Sequence, residues 1–572
     1  MSDTEHPQDT QPAADAPAAQ RLIKQCVFVF LIACTCAAYL QMNPGFVRFN
    51  DGHSEWSWNR FEGIREGDSS YHIKAAWLYR TGEIPAAGKD FHWTRESVWN
   101  GHFSDKDFLY HLYLIPFTLT AQDEFHWQAF TNGAKLAAII AGGLFMLALF
   151  SSMRQLKTPK AWLWTLAAGG LMGVIMAARL TEVRSWVFGV CFAMLGWAAL
   201  WRGSRKWTFV IAILYVLAYT GCHLLIAMAV FRLLFRQALG PEEGARGPAL
   251  RQDAILCGVA LAGLIVGWLL HPQSLQLLHI WWVQNIIVPI THAGGTGIGS
   301  VVEVPPRLLG TELRGWPLMA LLGGATWTAV AAILLPVLSL ATRTRPSRAA
   351  IATFIIGFGF TVLSLGNGRF IEYAVPFMLI AGARWISDVI AAPSVQGRLQ
   401  RLKLPSRRQL HAVTGVLVVL LAINLLRTSE EIGYRPRAQL EQVGVWMQNH
   451  NELKGKVIYN VSWDSLPELL LFRSDCDYVW GMDPMFTAAT GDEDARRVIG
   501  LMANDTSAWS DDPAEVARIL RDDLHADYIF VHDRDPGFPT LNRLLGWSRA
   551  GVLEPEFARR QQGVALFRVS PE

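Results

Sequence analysis

Charge is scarce in this chain. Only 17% of its 572 residues are Asp, Glu, Lys or Arg, against roughly 25% in an average soluble protein. A globular surface of this size needs far more, so a soluble cytosolic enzyme is excluded. The charge present nearly cancels, with 51 Lys and Arg against 48 Asp and Glu and a net charge of +3. That leaves no global basic field, and nucleic acid is not expected as a partner. Cysteine is sparse too. Cys26, Cys34, Cys36, Cys191, Cys222 and Cys257 fall in apolar runs and only Cys476 lies elsewhere, so neither a disulfide framework nor a zinc spacing can be built. In their place stand 51% hydrophobic residues, 23 Trp and a mean hydropathy of +0.22.

The apolar residues are gathered into runs. A helix needs about 20 mainly apolar residues to cross the hydrocarbon layer. About eleven candidates run from 26 to 42, 127 to 150, 161 to 178, 185 to 201, 207 to 220, 222 to 237, 253 to 270, 317 to 341, 350 to 366, 370 to 391 and 410 to 426. The fold expected is a polytopic α-helical membrane bundle. The stretch from about 107 to 121 is also apolar but reads as an interfacial or re-entrant piece, because only then does charge alternate consistently across the connections. One set of short connections is basic: Arg154, Lys157 and Lys160; Arg202, Arg205 and Lys206; Arg343, Arg345 and Arg348; then RLQRLKLPSRR, with Arg398, Arg401, Lys403, Arg407 and Arg408. The positive-inside rule makes this side cytoplasmic.

The expected organisation follows. Residues 1–20 form a disordered cytoplasmic tail, and 21–426 form the transmembrane domain, in the inner (plasma) membrane. Within it, 43–126 is a first external loop and 271–316 a flexible external one, with Gly294, Gly295, Gly297 and Gly299 mobile and Pro305 and Pro306 stiffening its end. Residues 427–572 form an external, periplasmic or extracellular, soluble α/β domain. GKVIYNV, DYIFVHD and VALFRV read as strands and AEVARILRDDL as a helix.

The helices are also almost free of ionisable residues in their middles, where transporters usually keep them. The unusual charges sit at the outer ends of spans, in four places. EGDSSYHIKAAWLYR carries Asp68 and His72, four apart and so on one helical face, a pattern that suits a metal or a polar substrate; Asp68 as a helix cap is the plainer reading. ARLTEVRSW carries Glu182 between Arg179 and Arg184, which are also placed to snorkel. SVVEVPP holds Glu303 at the end of the glycine-rich loop, either facing water or fixed on a closing lid. GNGRFIEYAVPF sets Arg369 at the head of a span, where a guanidinium matches a phosphate.

Taken in order, these motifs resemble the catalytic subunit of oligosaccharyltransferase in its single-subunit bacterial and archaeal forms, within the GT-C class of polyprenyl-lipid-dependent glycosyltransferases. DSSYH is similar to that family's first-loop aspartate motif, TEV to its second acidic motif, SVVEVPP to its fifth-loop motif and RFIEYAVP to its later arginine motif. The resemblance covers the whole length and implies a bundle of 11–13 spans. The chain departs from the family in its C-terminal WWDYG, of which NVSWDSLPEL keeps only Trp463 and Asp464, and in having one carboxylate in TEV.

What the resemblance implies is transfer of a glycan from a polyprenyl-(pyro)phosphate carrier to an external protein or glycolipid acceptor, protein asparagine among them. Asp68 and Glu182 would hold a divalent cation, magnesium or manganese, that offsets charge on the departing phosphate. Asp68 would be catalytic, Arg369 would bind the donor phosphate, Glu303 would polarise the acceptor, and Trp463 and Asp464 would contact it further out. Asp51, His72, Asp105, Asp107 and His111 are candidates for additional ligands; for FSDKDFLYH the plainer reading is an amphipathic stretch lying on membrane lipid. Two other readings stay open: a GT-C transferase moving one sugar from polyprenyl monophosphate to a lipid or polysaccharide, and a glycolipid flippase or export component.

Overall fold

The structure is a computed structural model. It describes residues 16–48, 53–85, 91–240, 246–292, 302–305, 307, 308, 310, 313–401, 406–433, 440–505, 507–535 and 537–571. The first element is α1 (Ala16–Met42), followed by a hairpin of β1 (Gly45–Arg48) and β2 (Ser54–Ser57) and by two loop helices, α2 (Asp68–Thr81) and α3 (Phe108–Leu114). Then come α4 (Trp127–Gln155), α5 (Ala161–Leu171), α6 (Gly173–Arg179), α7 (Trp186–Arg202), α8 (Arg205–Ala218), α9 (Leu224–Leu239) and α10 (Arg246–Leu270). The region read as a flexible loop from 271 begins instead with helix: α11 (Ser274–Trp282), a π-turn over Val283–Ile287 and α12 (Val288–His292). Its glycines at 294, 295, 297 and 299, and Pro306, lie outside the described residues. The bundle closes with α13 (Leu318–Gly324), α14 (Thr326–Thr342), α15 (Arg348–Ser364), α16 (Ile371–Ala391), α17 (Pro393–Arg401) and α18 (Ser406–Ile432).

Every run expected to span is helical, though not every one is a full span. Among the described residues 6 helices are long and apolar enough to cross a membrane, or up to 8 if each bent pair is one span. The remaining three runs are short: α7 and α15 have 17 residues each and α8 has 14. At 1.5 Å per residue, 17 residues reach only about 25 Å. The bent pairs are α5–α6, at 97°, and α13–α14, at 96°. The first break is at Gly173, whose φ of 78° lies in the left-handed region. A Cβ there would stand 2.2 Å from the Gly324 carbonyl oxygen, so the two breaks meet backbone to backbone. The long helices pack differently. Gly143 of α4 lets α1 approach until a Cβ would touch the Phe30 ring at 2.6 Å and Cys34 Sγ at 2.7 Å, the small-residue contact expected of membrane helices. The bundle is also less free of charge than its sequence suggests. Arg232 and Arg236 of α9 pair with Asp253 of α10 at 3.0 and 3.4 Å.

The stretch read as interfacial becomes α3 and a 3₁₀ turn, Ile115–Thr118, held on α4 where the Tyr113 hydroxyl donates to Ala137 O at 2.7 Å. The C-terminal region builds a five-stranded mixed sheet in the order β4-β3-β5-β7-β6 from β3 (Val457–Asn460), β4 (Asp477–Tyr478), β5 (Tyr528–His532), β6 (Leu553–Arg559) and β7 (Val564–Val569). The three expected strands are β3, β5 and β7, and the expected helix is Pro513–Arg518 with its π-turn. Beside β4 the first loop docks: the N–H groups of Arg95 and Glu96 donate to Tyr478 O and Val479 O at 3.1 and 2.7 Å, and Arg95 pairs with Asp477 at 2.7 Å. That pairing covers an edge that would otherwise expose unpaired backbone, and it fixes the first loop against the sheet. One apolar core runs through both, with Trp99, Phe130 and Phe472 among its buried members.

Candidate active site

Between the two broken helices, the first loop and the C-terminal sheet region lies a cavity of about 1470 Å³. Part of its lining comes from one half of each broken pair. Val174, Ile175 and Ala178 of α6 line it with Pro317, Ala320, Gly323 and Gly324 from α13 and its start. The rest of the lining is largely ionic. Arg65, Arg179, Arg184, Arg307, Arg314, Arg369, Arg427 and Arg534 line it with Glu66, Asp68, Glu182, Glu430, Glu431, Asp464, Glu468 and Asp483. The cations are all arginine, the side chain whose planar fork matches phosphate oxygens.

Five expected site residues, Asp68, Glu182, Arg369, Trp463 and Asp464, line this one cavity. Asp68 opens α2 rather than capping it; the cap is Gly67, with no side-chain bond. Its carboxylate sits at a helix N-terminus and accepts from Arg184 Nη2 at 2.7 Å, while Nη1 of the same guanidinium stands 3.2 Å from Glu66. The connection carrying Glu182 is pinned on both sides: Val183 N–H donates to Ser69 Oγ at 3.0 Å and Gln41 Nε2 donates to Thr181 O at 2.7 Å. Glu182 is buried, 3.9 Å from Arg65 and 3.8 Å from Arg179, and its Oε2 accepts no hydrogen bond among the described residues. Arg179 itself bonds Glu372, a buried carboxylate of α16. Arg369 stands in a 3₁₀ turn where its N–H donates to Asn367 Oδ1 at 3.1 Å and the Trp316 indole donates to Gly368 O at 3.1 Å.

On the far side, Trp463 Nε1 donates to Leu308 O at 3.1 Å, tying the stretch after Glu303 to the C-terminal region. Asp464 pairs with Arg534 at 2.8 Å. Glu303 is not brought to the cavity. Val302 N–H donates to Ala488 O at 3.0 Å and Val304 is buried, so the alternation leaves Glu303 exposed. Asp51 lies outside the described residues; His53, nearby, is exposed beside Glu55 at 3.7 Å.

The residues expected to hold a cation have other partners. Among the described residues no group of three His, Cys, Asp or Glu is placed to bind a metal ion. Asp68 and Glu182 stand amid Arg65, Arg179 and Arg184; one or two carboxylates are what magnesium takes from a protein when waters and substrate phosphates complete its shell, so an ion here would share these carboxylates with the guanidiniums.

Asp105, Asp107, His111 and His72 are not a surface stretch. All four are buried in a wall behind the cavity. Asp105 Oδ2 bonds His111 Nδ1 at 2.7 Å, and His111 Nε2 bonds His72 Nδ1 at 2.8 Å. Asp107 Oδ1 accepts from Ser185 Oγ at 2.6 Å. A side pocket of about 40 Å³ shares Asp68, Arg179, Arg184 and Arg369 with the large cavity and adds His72 and Asp107. Burial, then the charges of His111, Arg184 and Lys106, hold the His72 pKa well below the ordinary imidazole range. Burial also opposes charge on His111, but the Asp105 carboxylate outweighs it and leaves that pKa raised. For Asp105 burial likewise opposes charge and the His111 ring outweighs it, leaving the pKa lowered.

Sequence reasoning left out Arg65, Glu66, Arg314, Arg427, Glu430, Glu431 and Arg534, all cavity residues. For Arg427, Glu430 and Glu431 a signal exists: they follow the last apolar run directly, as the four chosen clusters adjoin theirs.

No protein-family profile matches the chain, and no curated protein is significantly similar in sequence. Solved structures do match. The Archaeoglobus fulgidus oligosaccharyltransferase in the apo form has a TM-score of 0.57 at 13% identity, over 96% of this chain and 74% of that one. The archaeal oligosaccharyltransferase AglB from Archaeoglobus fulgidus, in complex with an inhibitory peptide and a dolichol-phosphate, has a TM-score of 0.56 at 12% identity over the same shares. ArnT from Cupriavidus metallidurans, bound to undecaprenyl phosphate, has a TM-score of 0.52 at 11% identity over 97% of this chain and 100% of ArnT. At these identities the likeness is one of fold.

Proposed function

For a multi-pass membrane chain with the GT-C glycosyltransferase fold, we propose transfer of a glycan from a polyprenyl-(pyro)phosphate carrier to an acceptor outside the membrane, protein asparagine included. The observation that carries this reading is one cavity whose lining is both apolar, along α6 and α13, and rich in arginine. A lipid-linked anion has those two characters. Its isoprenoid would lie along the half-helices, and its phosphate would exchange places with carboxylates that now hold the guanidiniums in position. Arg369 and Arg179 would take the phosphate oxygens. Asp68 would orient Arg184, which it shares with Glu66. Preorganised guanidiniums of this kind stabilise charge as it builds on a leaving phosphate. Trp463 and Asp464 would meet the acceptor on the sheet side. Glu303 is left outside the mechanism, because nothing in the described geometry brings it to the cavity.

We assign the basic connections to the cytoplasm, which puts the cavity and the C-terminal region on the periplasmic or extracellular face of the inner membrane. No step here runs through the magnesium or manganese implied by the resemblance; Asp68 and Glu182 would hold it, with substrate phosphate and water completing its shell. Transfer measured in EDTA, then with either ion restored, reads its part: an unchanged rate leaves charge neutralisation to the arginines, and a lost rate restores the ion.

Asp68→Ala is expected to lower transfer about a hundredfold or more in membranes with normal protein levels; unchanged transfer would sink the proposal. A second reading, one sugar moved from a polyprenyl monophosphate to a lipid or polysaccharide, is favoured by the reduced WWDYG counterpart. Mass spectrometry of envelope glycoproteins and glycolipids with and without the gene separates them: a missing protein-linked glycan supports the first and a missing glycolipid the second.

A further inference from the structure

The buried chain of Asp105, His111 and His72 is not used by the reading above. Its two links are continuous, at 2.7 and 2.8 Å. The far end is fixed: Asp105 N–H donates to Gln273 Oε1 at 2.8 Å, its carbonyl accepts from His271 Nε2 at 2.9 Å, and its Oδ1 accepts from Asp107 N–H at 3.0 Å. The rings are enclosed by aromatics. Tyr110 packs edge-on to His72 at 5.6 Å, and Tyr71 and Tyr79 lie 5.6 and 6.2 Å from His111. The near end differs. His72 Nδ1 is taken by His111, the ring lines the side pocket, and Nε2 makes no hydrogen bond among the described residues.

We propose that His72 Nε2 is the general base of the transfer and that His111, held by the Asp105 carboxylate, takes a proton from the other side of the His72 ring. The proposal rests on the glycosyl-transfer reading and deepens it. With His111 donating from Nδ1 to Asp105, its Nε2 accepts from His72 Nδ1–H and leaves a lone pair on His72 Nε2 facing the pocket. As the acceptor's O–H or N–H bond breaks, the proton goes to Nε2 and the electron pair forms the bond to the anomeric carbon. The bond from that carbon to the phosphate oxygen breaks, and its electrons leave with the carrier. His72 Nδ1 then gives its proton to His111 Nε2, and the Asp105 carboxylate balances the charge. Charges facing His72 include Lys106 and Asp107 from the first loop and Asp68 on its own helix. The same pocket is lined by Arg179 of α6, Arg184 before α7, Arg369 and Glu372 at the start of α16, Asp483 from the sheet region and the Tyr219 phenol.

The test uses the full-length protein in nanodiscs, labelled undecaprenyl-linked glycans as donors, and membranes of a host lacking the gene as acceptor. His72→Gln is expected to lower kcat about a hundredfold or more with the donor KM unchanged. Activity falls as pH drops through the pKa of the histidine pair. Removing the Asp105 charge lowers that pKa, so Asp105→Asn is expected to move the acid limb of kcat/KM down by about one pH unit. Loss of packing alone would lower the yield without moving the limb. If Asp105→Asn fails to fold, His111→Gln is read by the same limb. An active His72→Gln, or a limb that stays where it is, overturns the relay alone. A wild-type protein that binds undecaprenyl phosphate yet never transfers overturns the glycosyl-transfer reading, and the relay with it.

Discussion

Two kinds of apolar helix build this bundle. In α4 and α16 the helix runs unbroken and most of its residues are buried. In α5–α6 and α13–α14 it turns by 97° and 96° within the layer it would have to cross. Helices α4 and α16 carry much of the core. The broken pairs also pack into it, through Met176, Ala177 and Leu321, and besides line a cavity rich in arginine and carboxylate. Apolarity therefore does not decide whether a segment only packs or also lines the cavity. A single backbone position does.

The largest expected effect would break this contrast at its source. Gly173→Ala forces a left-handed backbone, at about 1–2 kcal/mol, and drives a methyl into Gly324, at about 1–3 kcal/mol more. Folded yield and the midpoint of thermal unfolding in detergent should both fall clearly; a normal midpoint would mean that the break is not built on this contact. Next in size is Arg369→Lys, which keeps the charge and loses the planar fork. About tenfold weaker binding of undecaprenyl phosphate is expected, and equal binding would make the ionic wall a matter of charge alone. Trp463→Phe removes one hydrogen bond to Leu308, a loss of about 1 kcal/mol, to be read as faster proteolysis around residues 302–308. The smallest effect belongs to an unbroken helix. A Cβ at Gly142 of α4 meets only Ala37 Cβ, at 3.5 Å, so Gly142→Ala should shift stability by less than about 0.5 kcal/mol. Equal losses at Gly142 and Gly173 would erase the distinction.

The apolar runs were legible because each is continuous, and the sheet strands because β-branched and aromatic residues bunch in GKVIYNV, DYIFVHD and VALFRV. The right-angle breaks were not. Gly173 is one glycine among several in AAGGLMG, and only its contact with a segment about 150 residues later makes it special. The joint placement of Asp68, Glu182, Arg369, Trp463 and Asp464 around one cavity was implied by the order of their motifs rather than by any spacing. The pairing of Asp68 with Arg184 was open to a closer reading, since both were already singled out. The chain from Asp105 to His72 was hidden for a physical reason: a buried stretch whose acids are satisfied by histidines has the same composition as an amphipathic stretch lying on a membrane.

The contact between the two breaks bears on how such a protein can be altered. Peptide meets peptide at Gly173 and Gly324, with no side chain between them to trim or enlarge. The span of the apolar wall is therefore a property of the backbone and resists point substitution, whereas the ionic wall consists of separate side chains that can be exchanged singly. If lipid and headgroup bind as proposed, a new carrier would require refolding this junction, while a new headgroup would require only a new set of arginines.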